Sequence, residues 1–198
     1  MRSSGFNTYP IEQPGQLRTH AEAYDRIFPA IDQDQEIIPF LRKRGFDVET
    51  HEDVRRFVEE NLFAVWMQGI MDRACTTNEP GEQEAIVHAA IVLNYARGTD
   101  FVDWLYDGAG RMRVFVPNDY FRDGSPYEST GGYNSAHVVH LTPVVGAMEQ
   151  LRRLRPDVYT DARYPPLSKC RRYRHIFDFC MDKVLQHKLL PSNHNAKG

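Results

Sequence analysis

The chain has 198 residues, 41% of them hydrophobic and 12% aromatic, enough to bury a real core and too apolar for a disordered segment. Its net charge of −3 combines −9 over residues 1–148 (13 Lys and Arg, 22 Asp and Glu) with +6 over residues 149–198 (11 and 5). That acidic majority argues against a nucleic-acid partner, no apolar run nears the roughly 18 residues of a membrane span, and three cysteines without a CxxC leave the compartment open.

In chain order, residues 1–16 read as an N-terminal extension without the apolar stretch of a signal peptide. Leu17, Ala21, Tyr24, Ile27, Phe28 and Ile31 follow at helical spacing. A short helix is expected over 34–44, stopped by Gly45. The widest apolar stripe, Val54, Phe57, Val58, Leu62, Val65, Trp66 and Ile70, predicts a long helix from 51 to about 73. Further helices are expected over 79–97, ended by Gly98, and over 99–106. Residues 112–117, MRVFVP, read as a brief extended segment. A polar stretch, RDGSPYESTGGYNSAHVVH at 122–140, interrupts the pattern before a helix to about 154, which Pro143 either starts or kinks. A loop over 155–166 and a helix over 168–187 complete the domain, and 191–198 read as a polar tail. The sequence therefore predicts an all-α chain of antiparallel helical hairpins: a bundle, a solenoid or a toroid.

Several residues invite a chemical reading, each beside a plainer one. Asn78 precedes Glu79-Pro80-Gly81-Glu82-Gln83, a good helix start in which Asn78 is the N-cap and Pro80 lies in the first turn. A helix start can equally meet an anionic ligand. Tyr133, after Gly131-Gly132, is either ordinary core packing or a phenol that exchanges a proton. His137 and His140 lie four and seven positions later, so the three share a helix face if that helix starts early. The two histidines have no third metal ligand spaced nearby. Arg152, Arg153, Arg155, Arg171, Arg172 and Arg174 make the basic end, either a solvated face or a seat for a polyanion.

Asn78-Glu79-Pro80-Gly81-Glu82-Gln83, followed by the run from Arg122 through Asp123-Gly124-Ser125-Pro126-Tyr127-Glu128 to Tyr133-Asn134, resembles the heparinase II/III-like polysaccharide lyases. The resemblance covers roughly residues 20–155, and its second segment is the more specific. It implies part of an incomplete α/α toroid over 17–190, in which an asparagine at a helix start and a tyrosine some tens of residues later act on one sugar. The implied activity is β-elimination in an acidic, uronate-containing polysaccharide, and no cofactor or metal is expected. Asn78 would donate to the uronate carboxylate, Tyr133 would act as base or acid, and His137 would support it. Gln83, Glu128, Asn134 and Arg122 would be substrate contacts. Bringing a phenol from ~10 toward 7 corresponds to about 4 kcal/mol.

Family members continue into more helices and a β-sandwich, so the chain reads as a piece of a longer enzyme. Uncovered helix faces would favour self-association. The family is usually exported, implying a periplasmic or secreted setting. Two other readings stand beside the lyase: a non-catalytic helical module that binds a polyanion or glycan, and a toroid glycoside hydrolase using a carboxylate pair.

Overall fold

The computed structural model describes residues 12–93, 97–127, 131–182, 184–185 and 188–189, and the side chains of all of these except 131–134, 184–185 and 188–189. Among them the chain is all-α, apart from a small antiparallel pair of two-residue strands. It packs as two compact units, one of Met1–Asn78 with Ala85–Asp103, the other of Glu79–Glu84 with Trp104–Gly198.

In the first unit, helix α1 (Gln13–Gln33) buries Leu17, Ala21, Tyr24 and Ile31. It starts at Gln13 rather than beyond residue 16, because Pro14 suits the opening turn and the buried Gln13 accepts from Cys75 Sγ at 2.8 Å. Helix α2 is shorter than expected, Ile37–Lys43, since Asp34 Oδ1 accepts from the amides of Glu36 and Ile37 before the helix begins. Gly45 at φ +86° then closes it, with Gly45 N donating to Arg42 O and Phe46 N to Leu41 O. Only a residue without Cβ takes that left-handed conformation at little cost.

The long helix expected from 51 is continuous to 71 but not uniform. Helix α3 (His51–Val58) runs into a π-helical segment, Glu59–Ala64, and on into α4 (Val65–Met71). Thr50 and Asp53 start it with a reciprocal capping box. Val54, Phe63, Trp66, Met67 and Ile70 are buried, and α1 packs against α3 and α4. Within this core the Tyr24 hydroxyl donates to Glu59 Oε1 at 3.0 Å.

Helix α5 is Gly81–Val92, not 79–97; its first turn belongs to the second unit and the rest to the first. Its opening bond runs from Glu84 N to Pro80 O at 3.0 Å, so Pro80 stands where Asn78 was expected, and Asn78 lies outside the helix as an exposed bend. Gly98 does not end this helix but opens the next, α6 (Gly98–Asp107).

In the second unit, residues 112–117 are helical rather than extended, within α7 (Met112–Asp119). The β-branched residues there suggest a strand, yet Met112, Phe115, Val116 and Asp119 fall at helical spacing and all are buried. Arg111 N-caps this helix in the left-handed region, φ 55°, and its carbonyl accepts from Val114 N and Phe115 N. Helix α8 (Gly131–Leu154) begins inside the polar stretch and passes through Pro143, so Pro143 does not start it. The expected helix over 168–187 is divided. A 3₁₀ turn, Leu167–Lys169, precedes α9 (Arg171–Asp182), and β1 (Val184–Leu185) pairs with β2 (Lys188–Leu189). The division comes at Cys170, whose amide closes the 3₁₀ turn on Leu167 O while its own backbone is extended. Helices α7 and α8 both pack on α9, enclosing Leu141, Val144, Met148, Tyr173 and Ile176. The expected tail, 191–198, lies outside the described residues.

Candidate functional site

The polar stretch between α7 and α8 is first of all a tight turn. Tyr127 N donates to Asp119 O, Phe121 N to Ser125 O, and Gly124 N to Phe121 O. Asp123 Oδ1 accepts from both the amide and the hydroxyl of Ser125, which holds its carboxyl below the usual range. Gly124, at φ +87°, presses on α9: a Cβ there would sit 2.0 Å from His175 O and 2.6 Å from Ile176 N. His175 Nδ1 also contacts Arg122 O at 2.8 Å, fixing the turn to α9 a second time.

Behind this turn, the second unit gathers titratable groups from four segments. Arg111 Nη2 reaches Glu79 Oε2 at 2.5 Å and Asp119 Oδ2 at 3.0 Å. Burial works against the Arg111 charge, but the hydrogen bond and charge of Glu79, then Asp119, hold its guanidinium firmly protonated. Asp119 is itself held above the usual carboxylate range by burial, which outweighs Arg111. The next residue, Tyr120, is buried, and its hydroxyl lies 2.8 Å from His137 Nδ1. Burial and the charge of Asp119 push this phenol up, so it stays protonated. One turn along α8, His140 Nδ1 is 2.5 Å from Oε2 of the buried Glu84. Gln83, fully buried, donates from Nε2 to Gly110 O at 3.1 Å, and among the described residues its Oε1 has no partner.

Gln83 and His137 are thus linked through Gly110, Arg111, Asp119 and Tyr120. Tyr133 and Asn134 lie in the first turn of α8, and Tyr133 precedes His137 by four residues, a little over one turn. Their side chains, and Glu128 altogether, lie outside the described residues. Asn78 belongs to the first unit. Among the described residues its amide makes no hydrogen bond, leaving both polar atoms available to a ligand. Arg122 is exposed, away from Gln83 in its contacts. It lines a cavity of about 550 Å³ with Pro117, Cys170, Arg171, Arg172 and His175.

Sequence reasoning missed Glu84, Arg111, Asp119 and Tyr120 as site residues. Arg111 carries no local signal, because non-glycine residues rarely take positive φ. Asp119 had one: its place in the period of Met112, Phe115 and Val116 makes it a carboxylate on an apolar face. Chemically the arrangement can fix the ring of His137 and keep paired charge under the start of α8. Among the described residues no three His, Cys, Asp or Glu side chains converge as for a metal ion. No known family model, curated protein or solved structure matches this chain.

Proposed function

We propose that the chain is a heparinase II/III-like polysaccharide lyase domain, part of a toroid of helical hairpins, cleaving a uronate-containing polysaccharide by β-elimination. The observation that supports it most is the partly buried network beside the first turns of α8. His137, four residues after Tyr133, is anchored to the Tyr120 hydroxyl, beside a chain of contacts running to the charged Arg111. A phenol that must give up a proton near neutrality needs charged and donating groups about it.

In this proposal the Tyr133 phenolate takes the proton from C5 of the uronate. The electron pair moves into the carboxylate, where the Asn78 amide stabilises it. It then returns to form the C4–C5 double bond as the C4–oxygen bond breaks, and the Tyr133 hydroxyl protonates the departing oxygen. His137 positions and polarises this centre, with Glu128 and Asn134 as contacts, while the buried Gln83 holds the Gly110 carbonyl from beneath rather than touching the sugar. Incubation with heparan sulfate, chondroitin sulfate and alginate should raise the ultraviolet absorbance of an unsaturated uronide, and Tyr133→Phe should abolish the rise. No rise with any acidic glycan refutes the reading.

A second reading, a non-catalytic polyanion-binding module, is favoured by the arginine-lined cavity beside Arg122. It expects glycan binding, weakened by salt, with no unsaturated product from the unaltered protein.

A further inference from the structure

The cavity at Arg122 differs from the rest of its unit in how its charges are held. Arg111, Arg113 and Arg152 each pair with carboxylates. Around the cavity, by contrast, Arg172 Nη1 donates to two backbone carbonyls, Pro117 O at 2.5 Å and Tyr120 O at 3.3 Å. Arg171 Nε lies 3.4 Å from His175 Nε2. Among the described residues Arg122, Arg171 and Arg172 form no ion pair, and no carboxylate lines the cavity. Asp123 is close enough to feel His175, but its Oδ1 is already taken twice by Ser125.

Backbone carbonyls orient a guanidinium without cancelling its charge. Arg172 is held in this way, and with the guanidinium groups of Arg122 and Arg171 and the His175 imidazole it faces about 550 Å³ of open space as a net positive site. The frame is fixed: Gly124 and the Arg122 carbonyl lock the turn to α9, and Arg172 locks the end of α7 to it. Gathering like charges costs folding energy unless a counter-charge arrives, and planar forks suit oxyanions best.

We infer that this cavity is an oxyanion subsite that takes a carboxylate or sulfate ester on a sugar of the acidic chain, apart from the reacting unit. The assignment of the oxyanion to a glycan rests on the polysaccharide reading above. Arg122 and Arg171 are the forked donors, while Arg172 also braces the frame.

The test is calorimetric titration of the protein with inorganic sulfate, heparan sulfate oligosaccharides, alginate oligosaccharides and neutral dextran. Wild type should bind at least one acidic oligosaccharide more tightly than free sulfate, and dextran not at all. Arg122→Ser with Arg171→Ser should raise the Kd of that oligosaccharide at least about tenfold, as loss of two charge-assisted contacts implies. Neither side chain bonds a carbonyl, so the fold should survive, which thermal unfolding checks. Arg153→Ser, an exposed arginine elsewhere on the same unit, should leave that Kd unchanged.

The inference is overturned if the double variant binds as wild type does, if Arg153→Ser weakens binding equally, or if free sulfate binds as well as the glycan. Absence of binding by wild type overturns it too. Cavity-dependent binding without any unsaturated product removes the lyase and keeps the subsite. Turnover with binding indifferent to Arg122 and Arg171 does the reverse.

Discussion

Replacing Gly124 by alanine adds one methyl group at the point where the polar turn meets α9. That methyl would lie 2.0 Å from His175 O, 2.2 Å from His175 C and 2.6 Å from Ile176 N, all of them backbone atoms that no rotamer change can move. The left-handed φ of +87° adds roughly 1–2 kcal/mol for any residue with a Cβ. Relief of the clash lifts the turn, breaking the His175 Nδ1 contact to Arg122 O, worth about 0.5–1.5 kcal/mol. Together with the displaced packing, the loss should reach about 2–4 kcal/mol. Gly146, exposed in the middle of α8 with nothing within 4 Å of an added methyl, provides the internal comparison. Gly146→Ala should stabilise by roughly 0.5–1 kcal/mol, because alanine loses less backbone freedom in a helix. Thermal unfolding followed by circular dichroism reads both, and the two variants should move the midpoint in opposite directions. Wild-type stability in Gly124→Ala would refute the contact between turn and helix, and equal destabilisation by both would refute the reasoning from geometry.

Three further outcomes are expected. Asn78→Ala should change stability by less than about 0.5 kcal/mol, as at an ordinary surface site, while abolishing unsaturated-product formation; a loss near 1 kcal/mol in denaturant titrations would make Asn78 a helix cap after all. Tyr24→Phe removes the donor to buried Glu59 and should cost about 1–2 kcal/mol, measured by urea unfolding; a neutral change would mean the hydroxyl contributes nothing there. Burial raises the Asp119 pKa in the folded protein, so the folded state binds this proton more tightly than the unfolded chain does. The carboxyl therefore withdraws stability as pH rises from its ordinary value through the raised one. The stability of Asp119→Asn relative to wild type should accordingly increase across that acid window, in denaturant titrations at successive pH values, and a flat difference would contradict the shift.

The helices from 13 to 71 were legible because Leu17, Ala21, Tyr24 and Ile31, and later Val54, Trp66 and Ile70, carry their burial in local spacing. Gly45 was legible as a stop for the same local reason. MRVFVP was not, since residue preference there points to a strand while the buried period of α7 extends past it to Asp119. Of the site, Gln83 and His137 could be singled out from the motifs that hold them. Their surroundings could not, because Glu79 meets Arg111 across 32 positions and Glu84 meets His140 across 56. Such pairs are set by tertiary packing, and nothing in either neighbourhood announces the other. The arginines at 171 and 172 were visible as a charge cluster, but their union with Arg122 required the turn to fold back on α9.

The π-helical segment has a consequence for how α3 and α4 present one greasy side. A regular helix rotates about 100° per residue, so Val54 and Trp66, twelve positions apart, would stand about 120° out of phase around a perfect axis. Absorbing one surplus residue within Glu59–Ala64 cuts that angle to about 20°, and both side chains are buried. Loss of a single residue here, such as the exposed Asn61, would tighten the wide coil into an ordinary one and keep the two halves aligned. The same loss between Trp66 and Ile70 would swing Ile70 toward water. Tolerance to shortening is thus concentrated in six residues of a rod that is otherwise intolerant of it.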